Sequence, residues 1–217
     1  IVLLGVGWSC QRPGSPGEQI LFTTPADTSV ACYRIPALAV AKNGTLLAAI
    51  DQRVPSCGDL RSNRDINIVL RRSSDNGFTW SAQEVVVDFP EGQSASDPSF
   101  LVDRSTGTVF LLYNFMDLDR APNAYRFHLL RSDDHGATWS EPLDITGQIK
   151  DPAWQDDFVF ITSGHGVQTR GDTLLHTLVH LERGVFLFGT ADGGDTWQLF
   201  GTPVQPADES KVVQLPN

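Results

Sequence analysis

The sequence predicts an all-β protein built from repeated units, on three observations. An eight-residue pattern, [Ser/Thr]-x-Asp-x-Gly-x-Thr-Trp, occurs three times, and its aspartates Asp75, Asp134 and Asp192 are 59 and 58 residues apart. A fixed period of this size is typical of repeat architectures. Each copy lies between two short extended segments, which favours a turn between strands. Finally, no stretch of ten or more residues keeps the apolar period of a helix.

The first unit is predicted to contain four strands. Asn43-Gly44 is a tight-turn signal between the first two, and a long loop, residues 51–65, separates the second from the third. The eight-residue pattern, called the recurrent turn below, connects the third to the fourth. The predicted strands are residues 34–40, 45–50, 66–70 and 84–87.

Each residue type in the recurrent turn has a predicted structural role. The Asp accepts hydrogen bonds from backbone N–H groups of the turn, and the Gly takes the positive φ that the bend requires. The Trp packs sideways between adjacent units. These roles are structural, so the turn indicates a fold more strongly than a function.

Two further units repeat this plan, and a fourth is predicted to begin near the end of the chain. Four-stranded antiparallel units at this period are typical of the blades of a β-propeller. With about 58 residues per blade, the chain holds about three and a half blades, and a propeller closes with at least four. We therefore expect an N-terminal portion of a propeller. The predicted strands are residues 97–102, 108–113 and 127–130, then 166–168, 173–179 and 185–188, and finally 209–215.

Antiparallel order predicts that charged residues collect at one face. The starts of the first strands and the loops between second and third strands share that face, while the recurrent turns lie at the opposite one. Charged side chains that converge near an axis need partners or a charged ligand, because burying them alone is costly. The residues predicted at this face are Arg34, Arg53, Asp59, Asp97, His165 and Glu209.

Composition narrows the classes of partner. The formal net charge of −10 disfavours nucleic acid and anionic membranes. No spacing typical of metal ligands is present, and neither is a phosphate-binding loop. Cys32 and Cys57 are predicted to be either a disulfide or two buried free thiols, and the second reading is favoured.

The N-terminal segment, residues 1–19, is apolar up to Ser9 and continues into Cys10. It is interpreted either as the remnant of a signal peptide or lipoprotein leader or as a first strand.

The sequence Tyr33-Arg34-Ile35-Pro36 resembles the motif that precedes the first Asp box in exo-α-sialidases, and the recurrent turns resemble those Asp boxes. Arg53, Asp59, Asp97 and Glu209 follow in an order similar to that of charged pocket residues in bacterial sialidases. The resemblance covers residues 20–217 and implies part of a six-bladed β-propeller catalytic domain. No metal or organic cofactor is implied.

The resemblance assigns a role to each of these residues. A retaining glycosidase mechanism with a Tyr nucleophile is implied, in which Glu209 is the general base and Asp59 is the general acid and base. Arg34 and Arg53 are expected to bind the substrate, since a guanidinium holds the carboxylate of sialic acid in a bidentate fashion. Asp97 is expected either to shape the pocket or to cap its strand.

Phe115 and Met116, at the end of a predicted strand, are expected to line a slot for the N-acetyl methyl group of the substrate or else to pack in the core. His165, between two glycines, is expected to be a structural turn residue.

The leading functional hypothesis is a secreted, periplasmic or cell-surface exo-α-sialidase that acts on sialylated glycoproteins, glycolipids and oligosaccharides. The nucleophilic Tyr and two further arginines of the family have no counterpart in these 217 residues, so we expect the chain alone to be inactive. A trans-sialidase is a variant of this hypothesis. The alternative from another class is a propeller that binds glycans or proteins without catalysis.

Overall fold

The computed structural model describes residues 17–24, 26, 28–154 and 157–216, and it confirms the all-β class. Cys10 and most of the segment 1–19 lie outside the described residues. The first sheet contains β1 (Cys32–Val40), β2 (Leu46–Val54), β3 (Asp65–Ser73) and β4 (Glu84–Val87). The second contains β5 (Gln93–Val102), β6 (Val109–Asp117), β7 (Arg126–Ser132) and β8 (Leu143–Asp144).

A short helix, α1 (Thr146–Ile149), and a 3-10 turn (Pro152–Trp154) connect the second sheet to the third. The third sheet contains β9 (Val159–Ile161), β11 (Val167–Gln168), β12 (Leu174–His180), β13 (Gly184–Thr190) and β14 (Gln198–Val204). A two-residue strand, β10 (Gly164–His165), pairs in parallel with β5 of the second sheet. None of the helices in the described part of the chain has the length and apolar character needed to cross a bilayer.

Strand register places the recurrent turns at one end of the sheets. In the first sheet, Leu46 is paired with Ser73 at the turn end, whereas Val54 is paired with Asp65 at the end of the long loop. The other two sheets repeat this arrangement, with Val109 paired to Ser132 and Leu174 paired to Thr190. The predicted separation of the recurrent turns from the long loop is therefore confirmed.

Hydrogen bonds within the recurrent turns confirm the predicted role of the Asp. In the second turn, the Asp134 carboxylate accepts hydrogen bonds from the backbone N of Thr138 at 2.8 Å, the hydroxyl of Thr138 at 2.6 Å and the backbone N of Ala137 at 3.0 Å. The hydroxyl of Ser132 closes the turn, because it accepts from Gly136 N at 2.8 Å and donates to Asp134 at 2.8 Å. Asp75 and Asp192 accept equivalent bonds from Thr79 and Thr196.

Each of the second and third turns packs against the preceding sheet. Gly136 has a φ of +85°, and a Cβ there would lie 2.7 Å from the side chain of Leu47 in the first sheet. Gly194 has a φ of +101°, and its Cβ would lie 2.4 Å from the ring of Phe110 in the second sheet. The Trp197 ring stands edge-on to Phe110 with centroids 5.5 Å apart, which confirms that a turn Trp packs between units. Both positions therefore require glycine for two reasons: the positive φ, and the close approach of a side chain from the preceding sheet.

Two predictions of local structure are wrong. Residues 209–215 form no strand among the described residues, since no neighbouring strand there offers its backbone groups for pairing. Cys32 and Cys57 are joined by a disulfide, with Cα atoms 5.7 Å apart, instead of being two free thiols. The two cysteines are 25 residues apart in sequence, and they come together only when the long loop folds back onto β1.

Candidate active site

A cleft of about 340 Å³ lies at the end of the sheets that carries the long loop. Five of the six charged residues predicted at this face line it, and residues of all three units contribute to it. Its charged lining is Arg34, Arg53, Asp59, Asp97, Asp208 and Glu209, and its other lining residues are Ile35, Leu60, Ser96, Tyr125, Phe158, Phe160 and Leu181.

Two equivalent bulges present residues to this cleft. The register between β1 and β2 shifts between Arg34 and Ala37, and that between β5 and β6 shifts between Ser96 and Ser99. Within the bulges, Ile35 has a φ of +58° and Asp97 a φ of +63°. Left-handed backbone is costly at residues other than glycine, and such strain is concentrated at functional sites.

Arg34 reaches from β1 to the loop between β2 and β3, residues 55–64, which is called the Asp59 loop below. Its Nη1 donates to Asp59 Oδ1 at 3.0 Å and to the carbonyl of Cys57 at 3.1 Å. The side chain is 45% exposed, so a face of the guanidinium is accessible from the cleft.

Arg53 also binds the Asp59 loop, and its side chain is almost fully buried. Its Nη1 donates to Asp59 Oδ1 at 2.6 Å and to the carbonyls of Cys57 and Gly58. Its Nε and Nη2 donate to Asp51 Oδ2 at 3.3 and 3.0 Å. Burial lowers the pKa of Arg53, but the hydrogen bonds and charges of Asp59 and Asp51 outweigh that effect and raise the pKa overall.

Asp51 is a fully buried carboxylate that the sequence did not single out as a site residue. Besides Arg53, it binds the hydroxyl of Ser96 at 2.6 Å and the backbone N of Asp97 at 3.1 Å. Burial and the neighbouring charge of Asp97 raise its pKa to about 7, against the hydrogen bonds of Ser96 and Arg53. Asp51 therefore links the cleft residues of the first sheet to the strained bulge of the second.

Two carboxyl groups that line the cleft, Asp59 and Asp97, have opposite pKa shifts. The hydrogen bond from Arg53, together with the charges of both arginines, lowers the pKa of Asp59, whose side chain is 73% exposed. Burial raises the pKa of Asp97, and the charge of Glu209 adds to that shift. Such divergent environments are typical of functional sites.

Asp97 and Glu209 are positioned by polar groups that sequence reasoning missed. The fully buried Asn114 donates to Asp97 Oδ2 at 2.9 Å and also exchanges two hydrogen bonds with the backbone of Ile161, which anchors the third sheet. Glu209 lies in an irregular, exposed segment. That segment is fastened next to it, where Thr177 Oγ1 donates to the carbonyl of Ser210 at 2.9 Å.

Three predicted face residues lie elsewhere. Phe115 is buried and stacks on His128 with ring centroids 4.6 Å apart, and Met116 is fully buried, so the expected alternative of core packing holds for both and neither lines the cleft. Both belong to β6, a central strand covered on its two faces, and this is why their side chains pack inward. His165 lines a separate groove with Leu38, Val40 and Phe100. The apolar wall of the cleft comes instead from Tyr125, Phe158 and Phe160.

Comparison with known proteins gives consistent matches. The family profile of the BNR repeat-like domain matches residues 44–216. The sialidase of Bacteroides fragilis is 31% identical over 213 residues, covering 87% of this chain and 38% of that protein. The sialidase of Micromonospora viridifaciens is 34% identical over 234 residues, covering 94% and 35%.

Among solved structures, the Hadza microbial sialidase Hz136 is 30% identical, with a TM-score of 0.69 over 78% of this chain and 37% of that chain. The chain spans little more than a third of the length of the Bacteroides fragilis and Micromonospora viridifaciens sialidases.

Proposed function

The chain belongs to the sialidase family of BNR-repeat proteins, and from this we propose that the protein carrying it is an exo-α-sialidase. It would release terminal α-linked sialic acids from glycoproteins, glycolipids or oligosaccharides outside the cytoplasm. The observation that carries the proposal is that Arg34, Arg53, Asp59, Asp97 and Glu209 line one cleft. The family assignment supports the sialidase class, and the roles of these residues are our proposal.

The three sheets are proposed to be three blades of a six-bladed propeller, and residues 205–216 to lead into a fourth. The support is the common orientation of the three recurrent turns and the packing of the second and third on the preceding sheet. A closed ring would bring the remaining blades against the same axis. The nucleophilic Tyr and two further arginines would come from those blades, in other parts of the whole protein.

Arg34 is proposed to bind the carboxylate of sialic acid. Its guanidinium is accessible, lies at the cleft and carries two parallel donors that match a carboxylate. The buried Arg53 has all its observed donors engaged by the Asp59 loop and Asp51, so its proposed role is to hold Asp59.

Asp59 is proposed to be the general acid and base, although its lowered pKa keeps it ionised at neutral pH. Substrate binding resolves this conflict. A carboxylate bound to Arg34 draws Nη1 away from Asp59 and places a second negative charge nearby, and both changes raise the pKa of Asp59. The proton needed by the leaving oxygen is thus taken up as the substrate binds.

Glu209 is proposed to be the general base that accepts the proton of the Tyr nucleophile. It is exposed in the cleft, within electrostatic range of Asp97. A neutral Tyr paired with a carboxylate suits an anionic substrate, because a carboxylate nucleophile would be repelled by it. The apolar wall of Tyr125, Phe158 and Phe160 offers contact to the N-acetyl methyl group.

The test uses Asp59→Asn in the full-length protein, with Asp133→Asn as control. Asp133 is an exposed carboxylate that pairs with Arg131 and lies at the second position of a recurrent turn, at the opposite end of the sheets. The kcat of Asp59→Asn toward sialyllactose should fall by about 10² to 10⁴, since Asn cannot transfer the proton. The loss should be smaller for an aryl sialoside, whose leaving group departs without protonation.

Two outcomes would contradict the proposal. If Asp59→Asn turns over substrate at the wild-type rate, Asp59 is not the general acid. If the wild-type protein binds sialylated glycans without cleaving them, the alternative of a non-catalytic binding propeller is favoured.

A further inference from the structure

The N-terminal half of the Asp59 loop has few anchors in the protein core. Leu60 and Asn63 are buried and fix the second half of the loop, from which Asn63 Nδ2 donates to the carbonyl of Ser56 in the first half at 2.8 Å. Residues 55–57 and Asp59 are exposed. Segments with little buried surface have low local stability, so Asp59 lies on the less stable half of its loop.

Two arginines supply hydrogen bonds that reach this half from outside the loop, whereas Ser62 and Asn63 bind it from within the loop. Arg34 donates to the Cys57 carbonyl and to Asp59, and Arg53 donates to the same two groups and to the carbonyl of Gly58. A substrate carboxylate bound to Arg34 would compete for the bonds that Arg34 makes to the loop. The loop would then be weakened at the moment when Asp59 has to be in place.

The Cys32–Cys57 disulfide is an anchor that does not depend on Arg34. Cys32 lies on β1, two residues before Arg34, and is directly paired across the strands with Arg53. Cys57 lies two residues before Asp59. The bridge therefore fastens the weak half of the loop to the strand that carries Arg34, beside the arginine that holds Asp59.

We propose that the Cys32–Cys57 disulfide is a positioning lock for Asp59, and that a dithiol reductant opens it and lowers turnover. The inference rests on the proposed function. Reduction transfers two electrons and two protons to the bridge, which yields two thiols while the dithiol is oxidised to its own disulfide. Cys57 is exposed, so a small dithiol can reach it. The lock makes the enzyme active in an oxidising compartment and attenuates it in a reducing one.

The test compares four forms of the full-length protein: the wild type and the double variant Cys32→Ser with Cys57→Ser, each with and without dithiothreitol. Cys10→Ser serves as the control for the third cysteine. Peptide mapping establishes the linkage, hydrogen exchange follows residues 55–63, and kcat and KM are measured with a sialoside.

Dithiothreitol should accelerate exchange in residues 55–63 and lower kcat about tenfold in the wild type and in Cys10→Ser, since small misplacements of a catalytic group are costly. The double variant should show the lowered value under both conditions. KM should change less than kcat, because Arg34 stays on its strand.

Three results would overturn the lock: unlinked Cys32 and Cys57 in the purified protein, unchanged exchange after complete reduction, or unchanged kcat in the reduced wild type. If the double variant fails to fold, the exchange and kcat of the wild type before and after reduction still decide whether the disulfide positions Asp59. If no form cleaves sialosides, the proposed function fails, while the exchange data still decide whether the bridge orders the loop.

Discussion

At the scale of single residues, the cleft depends on a pair that is almost fully buried. Asp51 and Arg53 are 0% and 1% exposed, and the pair joins the Asp59 loop to the bulge at Asp97. Buried ion pairs contribute little net stability, since desolvation offsets their attraction. Their arrangement here points to a positional role, because Arg53 is held by Asp51 on one side and holds Asp59 on the other.

The raised pKa of Asp51 predicts a pH dependence of stability. A carboxyl group whose pKa is higher in the folded state stabilises the fold fully below its unfolded pKa, near 4, and that contribution is lost as the pH rises through about 7. Asp51→Asn removes the titration. The free energy of unfolding of this variant minus that of the wild type should therefore increase between pH 5 and pH 8, because only the wild type loses stability.

Urea unfolding at several pH values measures this difference. Asp133→Asn is again the control for the exchange of a carboxyl group for an amide. A constant or declining difference for Asp51→Asn would show that Arg53 keeps Asp51 ionised throughout the range.

At the scale of elements, the recurrent turn is a self-contained unit stabilised by its own side chains. The hydrogen bond from the Thr138 hydroxyl leads the effects that lower the pKa of Asp134 to about 2, and the Thr138 and Ala137 backbone N–H groups act in the same direction. Asp75 has the same arrangement, with a pKa lowered to about 2. Because these bonds are local in sequence, the motif forms the same turn three times in different surroundings.

We expect Asp134→Ala to lower the free energy of unfolding by about 1 kcal/mol, as the loss of a helix-capping carboxylate does. A carboxyl group with a lowered pKa stabilises the fold above its unfolded pKa and loses this effect as the pH falls toward 2. The difference from the wild type should thus shrink between pH 4 and pH 2.

Chemical denaturation at pH 7 and pH 3 tests this, with Glu141→Ala, an exposed carboxylate after the same turn, as the control. Cleavage of sialosides should be unchanged, because the turn lies at the end of the sheet remote from the cleft. A cost as large for Glu141→Ala would contradict the capping role.

At the scale of the whole molecule, consecutive sheets are joined in two layers. At the turn end, Gly136 and Gly194 pack on Leu47 and Phe110 of the preceding sheets. At the cleft end, polar groups make the connection: Asp51 binds Ser96 across the first two sheets, and Asn114 binds the backbone of Ile161 across the next two. The apolar layer supplies cohesion, and the polar layer fixes the residues around the cleft.

Trp197→Ala tests the apolar layer. Trp197 is 3% exposed and packs on Phe110 of the second sheet as well as on Phe188 of its own. Its truncation should cost about 3–5 kcal/mol, the range for a buried aromatic side chain. Trp80→Ala is the matched control.

Trp80 occupies the same position in the first recurrent turn, but it is half-buried and borders a shallow groove with Gly17 and Leu21. Its replacement should cost clearly less, as measured by thermal or urea unfolding. Equal costs would mean that packing between sheets adds nothing to the turn itself.

Local sequence signals predicted most of the fold. Predicted strand 84–87 coincides with β4, and the other main strands contain or overlap their predicted segments, because alternating apolar residues, turn glycines and Asp caps act over a few residues. The same signals placed Arg34, Arg53, Asp59, Asp97 and Glu209 at one face, since antiparallel order alone assigns loops to ends. The split of the third unit into β10 and β11 was not predicted, because β10 pairs with β5 of another sheet.

The repeat, the class of fold and the face that bears the charged residues are predictable from sequence, because each follows from contacts close along the chain or from strand order. The three-dimensional structure was needed to show that Cys32 and Cys57 are bridged, that Phe115 and Met116 face the core, and that Asp51 and Asn114 hold the cleft together. These features depend on which side of a strand meets another sheet and on how a loop folds back. These contacts join residues that are 17 to 47 positions apart, and such contacts produce no pattern in the local sequence.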